Sequence, residues 1–141
     1  MYQHVLVPVD FSPRGRTVAR HAFDLARAAG GRVTLLHVLT DGDPARAEAL
    51  LHALTVYGRR PPTVLIVPPE PDAARAILLA AARGGTDLIV MGVHARPDAG
   101  LAVGSVAREV LLHASVPVQI VPGAYGPPER DGRWQALIPH R

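Results

Sequence analysis

Five short apolar runs punctuate the chain, at residues 5–9, 32–39, 62–68, 86–92 and 116–122. Each is rich in Val, Ile and Leu with little polar alternation, the pattern of strands covered on both faces. Between them the apolar residues recur at helical spacing. Val18, Ala22, Leu25, Ala26 and Ala29 make the first stripe, and Ala47, Leu50, Leu51 and Leu54 the second. Ala74, Ile77, Leu78 and Ala81 make the third; Val103, Val106, Ala107, Val110, Leu111 and Ala114 make the fourth. Ser12 before Pro13 predicts an N-cap with proline at the first helical position, and Gly30-Gly31 predicts the stop of that helix.

Strands alternating with helices imply an α/β fold: a doubly wound, parallel five-stranded sheet, Rossmann-like, with helices on both faces. The expected strand order is 3-2-1-4-5, with right-handed crossovers. Proline near both ends of the fifth run places it at an edge. Residues 1–122 read as one domain, and residues 123–141 as a Pro/Gly-rich C-terminal tail. That tail holds the single tryptophan, Trp134, with Leu137 and Ile138 close by. Its composition suits a loose segment, whereas its large apolar side chains suit docking on this chain or on a partner.

Composition removes several chemistries. The 15 basic residues are all arginine, so a lysine Schiff base and the lysine of a P-loop are excluded. There is no cysteine, which excludes disulfides, thiolate catalysis and Cys-based metal sites. Net charge is +3 with the arginines scattered, and aromatic residues are 4% of the chain. Neither a basic stripe for duplex DNA nor a stacking platform for single strands is present, so no nucleic-acid partner is expected. No apolar run approaches the ~20 residues of a membrane span and no signal peptide is apparent, so the expectation is a cytoplasmic protein without a membrane partner.

In an open α/β sheet, ligands bind beyond the carboxyl ends of the strands, where the winding reverses. With order 3-2-1-4-5 the reversal falls between strands one and four. Asp10 follows strand one and is suited to accept hydrogen bonds from a sugar hydroxyl, or to cap its own following turn. Gly92 ends strand four; it either admits a ligand close to the backbone or simply closes the strand. Gly104-Ser105 opens the fourth helix, where free N–H groups favour an anion, unless Ser105 is an ordinary N-cap. Arg108 stands where a capping box would place Glu or Gln. His37 and His94 are placed to face the same crevice, but no histidine pair has zinc-site spacing, and no metal site is expected. Neither G-x-x-x-x-G-K-[ST] nor G-x-G-x-x-G occurs. Ser105, His94 and Asp10 lack the spacing of a catalytic triad, so no catalytic residue is assigned.

The segments "HVLVPVDFSP", "VTLLHVL", "TDLIVMGVHAR" and "VGSVAREVLLHASVPVQIVP" together resemble the universal stress protein family, in order and spacing, over residues 1–122. The resemblance implies a stress-response regulatory protein, homodimeric through strand five (residues 116–121), whose members divide into ATP binders and non-binders. It implies ATP, with magnesium, as the ligand of the binders. Asp10 would hold ribose, Val38 and Met91 would frame adenine, and Pro8 and Val9 would line the wall. Gly92, Gly104, Ser105 and the Val106 amide would meet the phosphates, with His94 in the loop between.

The binders share G-x-x-G-x9-G-[ST] after strand four. This chain has Ala95 at the second glycine, and eight residues, 96–103, before Gly104. Alanine in a left-handed position costs ~1 kcal/mol or more. Pro97 stiffens the loop, and Gly100 offers a shifted bend. Three readings follow: a nucleotide-binding regulator, a dimeric interaction scaffold without nucleotide, and a slow nucleotide hydrolase using His94 and Arg96. The first is preferred and the third, which lacks an activated nucleophile, ranks last.

Overall fold

A computed structural model describes residues 2–12, 15–92 and 104–122. The strands are β1 (His4–Pro8), β2 (Arg32–Val38), β3 (Thr63–Val67), β4 (Leu88–Gly92) and β5 (Val118–Val121). The helices are α1 (Gly15–Ala29), α2 (Pro44–Ala53), α3 (Ala73–Arg83) and α4 (Ser105–His113). All strand pairs are parallel, in the order β3-β2-β1-β4-β5. The expected architecture and strand order are those observed.

The apolar runs are continuous because both faces of the sheet are covered. Val5, Val7, Val9, Leu35 and Val90 point to one face. There they pack against Val18, Ala19, Ala22, Phe23 and Ala26 of α1, and against Leu51 and Leu54. Leu6, Leu36, Ile89 and Met91 point to the other, against Ala74, Ile77 and Ala81 of α3 and Ala107 and Val110 of α4. Alternate residues of one strand thus feed two separate cores, as a period of two dictates.

Local signals end the elements. Gly30 adopts φ +71°, the left-handed conformation that terminates α1, and the Gly31 amide bonds back to the Ala26 carbonyl at 2.7 Å. Asp72 caps α3, its carboxylate accepting from the Arg75 amide at 2.8 Å. The second helix is shorter than its apolar pattern suggests. It stops at Ala53, and residues Leu54–Tyr57 tighten into a 3-10 turn. Thr55 and Val56, both β-branched, weaken the α-helical continuation, and the Tyr57 hydroxyl is held by Arg16 of α1 through Nε and Nη2, each at 3.3 Å.

The first helix follows the turn after β1. It is described from Gly15, whose amide bonds to the Ser12 carbonyl, and the Ser12 hydroxyl donates to Asp10. Pro13 lies outside the described residues.

The amino ends of three strands are tied by a polar cluster. His4 donates from Nδ1 to the Gly84 carbonyl, and its Nε2 is hydrogen-bonded to the Thr34 hydroxyl, both at 2.6 Å. The carboxylate of Asp87 accepts the amides of Gln3 and His4 at 2.7 and 3.1 Å, and the Asp87 amide returns a bond to the His4 carbonyl. This holds β1, β2 and the turn before β4 together at the end remote from the crevice.

Candidate functional site at the sheet reversal

The helix after β1 lies on one face of the sheet, and the helix after β4 lies on the other. Adjacent strands are thus followed by helices on opposite faces, the arrangement in which open α/β sheets bind ligands. Val5 and Leu6 of β1 sit level with Leu88 and Ile89 of β4. The same offset carried forward sets Val9 level with Gly92, with Asp10 one residue beyond.

Asp10 is exposed at this edge. Its Oδ1 accepts from the Ser12 amide at 3.2 Å and from the Ser12 hydroxyl. It therefore caps its own turn, one of the two roles its position allowed, and that turn fixes the carboxylate beyond the end of β1. Val9 is buried, its amide bonded to the Leu36 carbonyl at 2.7 Å, and Pro8 pairs with Leu36. Val38 and Met91 end β2 and β4 and share the α3/α4 face, Met91 buried and Val38 packed at the edge of that core.

Gly92 has a reason beyond those its sequence position suggested. A Cβ built on it would lie 2.8 Å from Cγ2 of Val18. Real Cβ atoms do not approach so closely, so the seating of α1 on β4 requires glycine here whatever the crevice holds.

At the start of α4 the N-cap is Gly104, not Ser105. Gly104 has extended backbone angles (φ −59°, ψ 158°), and no side chain caps this terminus. Ser105 is the first helical residue and is exposed, as is Val106. Among the described residues no side chain accepts from the first-turn N–H groups, which have no intrahelical partners. His94 lies outside the described residues, as do Ala95, Pro97 and Gly100.

His37 lies against the residues that flank Asp10. It shares the α1 face with Val9 and Leu35, where Nδ1 donates to the Val9 carbonyl at 2.7 Å. Its ring stacks on Phe11, with centroids 4.4 Å apart and planes 30° from parallel. This pair braces the β1–α1 turn from the β2 side. Phe11 passed unnoticed in the sequence because one aromatic after a strand has no pattern of its own.

These features define a class: an open α/β protein whose winding reverses between β1 and β4, with Asp10 and the start of α4 both at the carboxyl end of the sheet. The model of the universal stress protein family matches residues 1–57 and 45–122, and the chain belongs to that family. It is 27% identical over 138 residues to universal stress protein A of Escherichia coli strain K12, covering 86% of this chain and 94% of that one. Among solved structures it is similar to the universal stress protein of Archaeoglobus fulgidus (26% identity, TM-score 0.69, 85% of this chain and 98% of that one). The same source supplies a complex with dAMP (26%, 0.68, 84% and 97%). A universal stress protein in complex with cAMP shares the fold (23%, 0.72, 87% and 98%).

Proposed function

We propose that this protein is a nucleotide-binding member of its family, a cytoplasmic stress-response regulator in which ATP or a close relative occupies the crevice between β1 and β4. The observation that carries the reading is that Asp10, Gly92 and the start of α4, which no described side chain caps, all lie at one end of the sheet. The dAMP complex of the Archaeoglobus fulgidus relative supports an adenine nucleotide as the class of ligand.

In this reading Asp10, held by Ser12, accepts a ribose hydroxyl. Val38 and Met91 frame the adenine, and Pro8 and Val9 form the wall beneath it. The amides of Gly92, Gly104, Ser105 and Val106 receive the phosphates at the positive end of α4. His94 is assigned to the same ligand, and magnesium offsets the phosphate charge.

Regulation then passes through the dimer. β5 forms the edge of the sheet, and we assign to it the pairing with a second copy. Gly92 is level with Val121 in the β4–β5 register, so the phosphate end of the crevice and the dimer edge are adjacent.

Native mass spectrometry of the purified protein should show retained nucleotide. ATP with magnesium should raise the melting temperature, because a ligand that binds only the folded state adds RT ln(1 + [L]/Kd), about 2.7 kcal/mol at 100 Kd. No shift at millimolar ATP, with none retained, would sink the reading. It would leave the second one, a dimeric scaffold without nucleotide, which the alanine at position 95 and the loop one residue short of the family pattern favour.

A further inference from the structure

The end of the sheet opposite the crevice holds a second concavity. A cavity of about 500 Å3 lies where the carboxyl ends of α3 and α4 meet the start of β4. Leu78, Ala81, Ala82, Ile89 and Val116 form its apolar part. Thr86, His113 and Ser115 form its polar part. The volume lies in the range of small-molecule sites, about 300–1,000 Å3.

Its electrostatic character is specific. Among the described residues, no carboxylate or guanidinium lines it. His113 faces Glu109 at 3.3 Å, so that imidazole already has an acidic neighbour. Both helices end here. The Ala80, Ala81 and Val110 carbonyls are taken by the amides of Gly84, Thr86 and Ala114. The carbonyls of Leu111, Leu112 and His113 lie past the last helical N–H of α4 and point along the axis toward this end. These acceptors ask for N–H or O–H donors, while the absence of a full charge in the lining disfavours an ion.

Thr86 adds an independent sign. It is 7% exposed, and its hydroxyl is buried with no hydrogen-bond partner among the described residues. A buried unpaired hydroxyl is a costly group to retain. A rotation about its Cα–Cβ bond exchanges hydroxyl and methyl, a change between staggered states that threonine makes readily.

We propose that this cavity is a second ligand site, separate from the crevice, for a neutral small molecule with an apolar body and amide or hydroxyl donors. The apolar body packs on Leu78, Ile89 and Val116. The donors meet the helix-end carbonyls and the Thr86 hydroxyl.

Three probes that share one ring but differ in charge test it: benzamide, benzoate and benzylammonium, each titrated into the full-length protein and followed by amide NMR. Benzamide should give saturable shifts at Gly85, Thr86, His113 and Ser115, with ATP neither competing nor required. Benzoate and benzylammonium should bind at least tenfold more weakly. Ala82→Leu, which fills the cavity from a helix position that leucine suits, should weaken benzamide at least tenfold. Thr86→Val, which keeps the shape, should weaken it at least threefold. In both variants the remaining amide spectrum should be unchanged. The proposal is overturned by no saturable shift, by shifts confined to Gly92 and Ser105, by an ion binding as well as benzamide, or by folded variants that bind benzamide normally.

Discussion

Single atoms decide two residues of the crevice. A methyl group on Gly92 would meet Val18, and overpacking of this kind costs about 1–3 kcal/mol. Gly92→Ala should therefore lower the denaturation midpoint by an amount in that range, and Val18→Ala in the same chain should restore most of it. If nucleotide binding stays lost in the restored double variant, the glycine also serves close approach of a phosphate. If binding returns with stability, its role is packing alone. Asp10 gives the complementary case. Asp10→Ala removes the acceptor of the Ser12 turn from an exposed site, so stability should change by about 1 kcal/mol or less, within the range for surface hydrogen bonds. The ATP-induced rise in melting temperature should disappear. A full rise in Asp10→Ala would remove this carboxylate from the proposed ribose contact.

Helix ends show why local sequence was informative in some places and silent in others. Asp72 precedes an apolar stripe and caps it, and Asp43 does the same for α2 through the Ala45 amide. Asp72→Ala should cost about 1 kcal/mol in chemical denaturation, the usual value for an N-cap. A loss under 0.3 kcal/mol, a small fraction of that value, would mean the cap is replaced by water. The strands were legible because two-sided burial leaves a continuous apolar run. The first three helix stripes were legible through their period; of the fourth, Ala107 and Val110 are buried, while Val106 and Leu111 are exposed. The 3-10 turn after Ala53 was not legible. It arises where Leu54 is buried against α1 while Arg16 holds Tyr57, a contact between residues 41 positions apart. The turn of His37 toward Val9 was hidden for a similar reason, since only the pairing of β1 with β2 sets the two residues side by side.

For the molecule as a whole, the order of the strands follows from the alternation of elements and the hand of the crossovers, and it places the crevice before any side chain is considered. What alternation does not carry is the chemistry of a loop, which depends on a few backbone angles and not on a period. That is why Asp10, Gly92 and Gly104 stand as candidates by their place at the strand ends, while the ligand is a choice between readings. The tail belongs to this scale too. Truncation after Gly123 should leave the melting temperature of the domain within about 2 °C, the size of a shift expected from well under 1 kcal/mol. The proposed dimer through β5 should persist, by light scattering on a sizing column. Dissociation into monomers on truncation would show that Trp134, Leu137 and Ile138 belong to the subunit contact.

The cluster of His4, Thr34, Gly84 and Asp87 bears on how such a protein changes over generations. It pins the amino ends of three neighbouring strands with side chains as well as backbone. The opposite rim is released from that duty and is free to accept substitutions, deletions and inserted residues after β1 and β4. A library randomised between Gly92 and Gly104 should yield mostly folded proteins with varied ligand preferences, while the same diversity at Gln3, His4 and Asp87 should yield few. Descent with a shortened loop is then no anomaly, because the sheet is clamped at one end and left open to experiment at the other.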